Sequence, residues 1–288
     1  MHKKTVERRD SVEGMTLMSG KPKDTVWRTT CDQLSNLDMI VPLAWNDFRT
    51  KYAGSVLGLM WAFAGPVVTV VMYWFVFQVA LGSGPVNGHP FALWLVAGLV
   101  PWMFFQDALN YGVDVLRGYS FLVKKISFNI SILPAVRIFS AFFVHASFLL
   151  ITLLLFTLRG TFPGIHILQL FYYSFCTIVL TLGLVFFASA IAVFFRDIVP
   201  MIAIILQVGM WATPILWQLE RIDPKYHWIF QLNPMNYIVQ GYRSALLDHR
   251  WFWEQAGYSA YFWGLTIIIY FIGVKVFQRL KPHFADVL

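Results

Sequence analysis

The sequence predicts an all-α polytopic membrane protein with six transmembrane helices, and three observations predict it. Of its residues, 58% are hydrophobic and 13% charged, with a mean hydropathy of +0.62; charged residues make up about a quarter of an ordinary soluble domain. Asp, Glu, Lys and Arg are absent from residues 52–106, 138–158, 160–195, 198–219 and 255–274. A helix needs ~20 apolar residues to cross the hydrocarbon core, so the first gap holds two spans and each of the others one. Basic residues are also unevenly shared between the two sides. With the N-terminus cytoplasmic, seventeen lysines and arginines fall on inside segments and five on outside segments. That bias places both termini in the cytoplasm. It also accounts for most of the +7 net charge, which therefore needs no nucleic acid to explain it.

Residues 1–36 read as a polar cytoplasmic tail with no apolar run that would make a cleavable signal peptide. Residues 37–288 form the transmembrane domain. Its first element is an interfacial helix over 37–52, where Leu37, Ile40, Val41, Ala44, Trp45, Phe48 and Tyr52 recur at helical spacing opposite Asp38, Asn46, Asp47 and Arg49. The helix is expected to lie on the membrane surface and then turn, with no proline or polar linker, into the first span, about 56–81. Gly54, Gly58 and Ala62 at four-residue spacing would admit a neighbouring helix, and Pro66 would interrupt the ladder. Gly82 to Pro90 supplies the turn to the second span, about 91–111, whose inner end is marked by Asp107, Asn110 and Asp114, read as solvated.

A cytoplasmic loop follows, carrying Lys124, Lys125, Phe128 and Ile130. Its apolar residues require cover from a partner or the membrane surface. The third and fourth spans lie at about 136–158 and 169–194, joined through Phe195-Arg196-Asp197 to a fifth at about 198–217. Beyond Trp211 and Trp217 comes the largest outside segment. There Asn233 caps and Pro234 starts a short amphipathic helix, expected with Ile238 and Leu246 to rest on the outer leaflet. The sixth span, about 256–276, closes the domain.

The motifs of covalent chemistry are missing. The only Gly-Lys pair, Gly20-Lys21, runs into Pro22, and there is no His-Glu-x-x-His or Cys-x-x-Cys. No metal site or catalytic residue is assigned. Cys31 is cytoplasmic and Cys176 lies in a span, so the two cannot pair. His145 is read as a residue that hydrogen-bonds neighbouring helices, since no intramembrane carboxylate accompanies it.

Several motifs carry a family resemblance. Asp47-Phe48-Arg49-Thr50-Lys51-Tyr52 with Ser55, Leu57-Gly58 and Trp61 resembles the entry signature of membrane subunits of ABC exporters of polysaccharides, the O-antigen, capsule and teichoic-acid type. Gly98-Leu99-x-Pro101-Trp102, Lys124-Lys125-Ile126-x-Phe128, Phe195-Arg196-Asp197, Pro214-Ile215-Leu216, Asn233-Pro234-Met235 and Leu280-Lys281-Pro282-x-Phe284-Ala285-Asp286 extend it over residues 37–288. The resemblance implies a homodimer driven by two copies of a separate ATPase, which would hold ATP and Mg; this chain itself binds no cofactor. It implies a glycan on a polyprenyl-diphosphate lipid as substrate. It further implies that Lys124, Lys125, Phe128, Ile130, Arg196 and Asp197 couple to the ATPase. Arg49 and Lys51 could meet the lipid diphosphate by charge-assisted hydrogen bonds, although anchoring to phospholipid headgroups uses the same residues.

Sugar rings stack on aromatic faces, so Tyr73, Trp74, Phe77, Trp211 and Trp217 are candidates for the substrate path; membrane-interface belts of Trp and Tyr are the alternative for each. A drug or other-lipid exporter permease is the nearest rival function. A membrane-embedded lipid-linked transferase is the reading from another class, but Glu220, Asp223, His227, Asp248 and His249 are scattered without a motif.

Overall fold

The computed structural model describes residues 26–125 and 128–288. The principal helices are α1 (Val26–Ser35), α2 (Leu37–Tyr52), α3 (Met60–Trp74), α4 (Phe91–Gly112), α5 (Leu133–Leu158), α6 (Leu168–Ala192), α7 (Ile198–Ala212), α8 (Pro234–Arg243) and α9 (Ala256–Leu280). No strand occurs among the described residues. Five stretches, Met60–Ala80, Phe91–Gly112, Ile130–Leu158, Gly164–Ala192 and Phe252–Val287, are long and apolar enough to cross a membrane.

The fifth span, expected at about 198–217, is shorter than that. Helix α7 has 15 residues, about 22 Å at 1.5 Å per residue, short of the ~30 Å hydrocarbon core. It stops at Ala212 because Pro214 disfavours helical geometry in the residue before it, and Thr213 takes extended angles. Residues 213–216 then fold inward and are buried.

The glycines at the entry to α3 also depart from expectation. Where the surface helix turns toward the span, residues 53–59 form turns, and Gly54 and Gly58 have φ of +88° and +49°. A Cβ at either glycine would touch nothing within 4 Å. These glycines therefore serve the left-handed backbone of a bend, not a close helix crossing; only Ala62 of the expected trio is buried. The close crossing lies elsewhere. Helices α6 and α9 meet at Gly183 and Gly273, where a Cβ on Gly183 would come within 2.7 Å of the Tyr270 Cα.

Helix α4 is the hub: most of its residues are buried, whereas Ala62 is the buried residue of α3. Helix α4 packs on α5, α6 and α8. Helix α8 does not rest on the outer leaflet. Tyr237, Ile238, Tyr242 and Leu246 are buried by protein from α4, α6 and α9, so the apolar face that suggested lipid contact is a core face. On α2, Ile40, Ala44 and Phe48 pack toward α5, with Ile132, Ala135 and Val136 joining Ile40 and Ala44 in one buried cluster. Leu37 and Val41 remain exposed, while Trp45, also part-exposed, packs edge-on against Phe143 of α5 at 5.2 Å. Residues 26–35 are not a separate tail: α1 docks on the C-terminal end of α9, burying Thr29 and Gln33. Residues 1–25 and the loop residues Ile126 and Ser127 lie outside the described residues.

Candidate functional site

A cleft of about 580 Å³ opens between α3, α4 and α5, with Met210 of α7 at its edge. Its aromatic lining includes Tyr52, Trp61, Tyr73, Trp102, Phe104 and Tyr111, and its polar groups include Gln106, Asn110 and Thr69. Trp102 and Phe104 line the cleft although both are buried; Gln106 and Tyr111 are the residues of α4 that lie exposed there. Trp102 donates through Nε1 to Gln106 Oε1 at 3.0 Å, which fixes the indole in the wall.

Lys51 and Asp107 meet at one end of the cleft. The Lys51 ammonium donates to both Asp107 carboxylate oxygens, at 2.8 and 3.1 Å, and sits 3.7 Å from the Tyr111 ring centroid. Burial alone would lower the lysine pKa. The adjacent carboxylate outweighs it through charge and hydrogen bonding, so the net shift is upward. Asp107 is thus an ion-pair partner and not merely a solvated helix end. Arg49, by contrast, is exposed.

The entry-signature aspartate has an equally specific place. Asp47 is buried, not on a solvated face as its position opposite the apolar residues suggested. Arg137 lies 2.7 Å from its Oδ1, and the Tyr119 hydroxyl donates to the same atom at 2.6 Å. Burial and the neighbouring Asp47 raise the Tyr119 pKa well above the ordinary phenol value. One carboxylate thereby ties α2 to the base of α5 and to the loop between α4 and α5.

Among the aromatic candidates, Tyr73 alone reaches the cleft, its hydroxyl 3.7 Å from Met210 Sδ. Phe77 stacks on Phe91 at 6.2 Å. Trp74 and Trp211 are exposed outside the cleft lining, and Trp217 packs edge-on against Phe230 while donating to the Trp211 carbonyl at 3.0 Å. His145 bonds neighbouring helices: its Nε2 lies 3.1 Å from Ser174 Oγ and 3.0 Å from the Tyr242 hydroxyl, and its ring stacks on Phe104.

The coupling candidates divide into two groups. Lys124, Lys125, Arg196 and Asp197 are exposed, and so are the neighbouring Phe121 and Phe195. A groove of about 340 Å³ bounded by Arg117, Ser120, Phe194, Arg196 and Leu288 brings the loop and the 195–197 turn to one end of the molecule. Phe128 and Ile130 are instead half-buried against apolar residues of this same chain.

Arg243 stands out among the residues that sequence reasoning passed over. By sequence it is one of the five basic residues of the outside segments, yet it is 3% exposed. Its Nη1 donates to the Pro214 carbonyl at 2.7 Å and its Nη2 to the Ile215 carbonyl at 2.8 Å. The guanidinium also lies 3.5 Å from the Trp94 ring centroid. A Cβ on Gly98 would come within 2.7 Å of Nη2. Asn233 caps α8 through Met235 N at 3.0 Å and donates to Thr213 Oγ1 at 2.8 Å. Three separate sequence motifs, at Gly98, Pro214-Ile215 and Asn233-Pro234, thus converge on the seat of one arginine. The signal was there in their shared composition of turn residues, but nothing local tied them together.

Comparison with known proteins adds a family. The profile described as ABC-2 type transporter matches residues 40–247. An O-antigen export system permease protein RfbA of Klebsiella pneumoniae is 23% identical over 254 residues, covering 87% of this chain and 95% of that protein. A protein of the same description from Myxococcus xanthus is 23% identical over 250 residues, 86% of this chain and 94% of its own.

Proposed function

The chain belongs to the ABC-2 type transporter membrane family, and from that premise we propose that it is the membrane subunit of an ATP-driven polysaccharide exporter. Its substrate is a glycan on a polyprenyl-diphosphate lipid, moved outward from the cytoplasmic side of the inner membrane. The observation that carries this reading is the cleft: an aromatic wall with neutral polar side chains suits stacked sugar rings and their hydroxyls. The O-antigen export description of the relatives supports the same substrate class.

The chain acts as a homodimer. A cleft holding Lys51, Asp107, Gln106 and Asn110 is ill suited to bare lipid, because intramembrane polar groups face a bundle interior or water. Helices α3 and α7 beside it are the least covered; Leu206 is the buried residue of α7 and Ala62 that of α3. A second copy placed against these helices completes the path. Two copies of a separate ATPase, holding ATP and Mg, seat at the end that presents Phe121, Lys124, Lys125, Phe195, Arg196 and Asp197, with both termini on that side. The lipid diphosphate meets exposed Arg49 first, and Lys51 once Asp107 releases it.

Depletion of the chain in its own host tests this reading. Polyprenyl-diphosphate-linked glycan is expected to accumulate inside the cell while surface glycan disappears. Unchanged surface glycan combined with heightened sensitivity to an apolar drug would instead identify a drug exporter.

A further inference from the structure

Helix α1 lies ahead of the family match, which begins at residue 40, yet its polar contacts are concentrated and specific. Gln33 Nε2 donates to the Ser131 carbonyl at 2.6 Å, and Asn129 Nδ2 donates to Asp32 Oδ2 at 3.0 Å. On the other side, Gln278 Nε2 donates to Thr29 Oγ1 at 2.7 Å, and the hydroxyls of Thr30 and Tyr270 are 3.0 Å apart. Lys281 Nζ reaches Ser131 Oγ at 3.2 Å and closes the triangle. Thr29, Gln33 and Ser131 are each less than a tenth exposed. A buried polar network of this kind rigidifies what it joins, because every broken bond leaves a desolvated group.

The three joined segments are α1, the C-terminal end of α9 and the 129–131 turn. That turn is the last piece of the loop between α4 and α5, directly after Phe128 and directly before α5. We propose that α1 is a brace: it locks the ATPase-facing loop to the C-terminal end of α9, so that force on the loop moves α5 and α9 as one body. Gln33 is the central positioning residue, since its amide holds the backbone of the turn itself. This inference rests on the proposed role of the loop as an ATPase contact. The outer face of α1, where Trp27 is 76% exposed, takes no part.

The test uses the purified complex with its ATPase and needs no glycan. A single reporter, Thr69→Cys in the cleft, is introduced with Cys31→Ser and Cys176→Ser, and its thiol labelling is compared with and without ATP. In the unbraced-control sense, Trp27→Ser should keep the full ATP-dependent change. Gln33→Ala should retain ATPase co-purification and hydrolysis but lose that change about fivefold or more, the scale of a typical coupling between sites. A purely structural lesion would lower complex yield and leave the response per complex intact. An intact response in Gln33→Ala, or equal loss in Trp27→Ser, overturns the brace. Should Gln33→Ala fail to assemble, Thr30→Val removes the bond to Tyr270, together with the local one to the Val26 carbonyl, at similar volume, and its intact response overturns the proposal likewise. If no ATPase co-purifies with the unaltered chain, the functional reading fails and the brace with it. If labelling responds to ATP but no glycan is exported, only the substrate assignment fails.

Discussion

Arg243 shows how a single side chain can hold an irregular segment inside an apolar environment. The break after α7 leaves carbonyls at Pro214 and Ile215 without helical partners, and an unmet carbonyl at that depth costs about 1–3 kcal/mol. The planar guanidinium satisfies both, and stacks on Trp94 while doing so. Burial disfavours its charge, which Glu220 and Asp248 offset in part. Arg243→Ala should therefore destabilise the folded protein by on the order of 3 kcal/mol, read as a lower midpoint of thermal unfolding in detergent. Gly98→Ala should act in the same direction by displacing the guanidinium. Wild-type stability in both variants would remove Arg243 as the anchor. The charge patterning of the sequence could not reveal this, because a lone arginine in a polar segment looks like any solvated cation. The ion pairs were hidden for a related reason: Lys51 and Asp107 stand 56 residues apart, and only the fold makes them neighbours.

At the scale of elements, periodicity locates apolar faces but does not say what covers them. The face of α8 has the pattern of a lipid-seated helix, and protein covers it. Glycine spacing misleads in the same way: Gly54 and Gly58 shape a bend, while the helix contact uses Gly183 and Gly273, on different helices. The truly uncovered elements are α3 and α7, and here the homodimer makes a prediction. In a two-fold assembly, residues near the axis meet their own copies. Val68→Cys on α3 and Val208→Cys on α7, 59% and 62% exposed, should include at least one position that cross-links two chains in native membranes. Ile267→Cys on α9 is equally exposed, at 60%, and should not. Cross-linking confined to Ile267 would place the second copy on the opposite side and leave the cleft open to lipid.

For the whole molecule, the hydropathy gaps made the helical membrane class legible, since the bilayer imposes a length on every apolar run. The same gaps overstated the fifth helix, because buried non-helical residues such as Ile215 and Leu216 are as apolar as a span. Functional residues were least legible where chemistry depends on juxtaposition. Aromatic content is high everywhere, so only the fold distinguishes Tyr73 and Trp61 in the cleft wall from Trp74 and Trp211 outside it. That distinction is also the most direct test of the central claim, that the cleft is the glycan path. A photoreactive residue placed at Tyr73, Trp61, Trp74 or Trp211 would be irradiated during ATP-driven export of labelled lipid-linked glycan. Cross-links to glycan at 73 and 61, dependent on ATP hydrolysis and absent at 74 and 211, are the predicted result; labelling at 74 and 211 with none at 73 and 61 would contradict it.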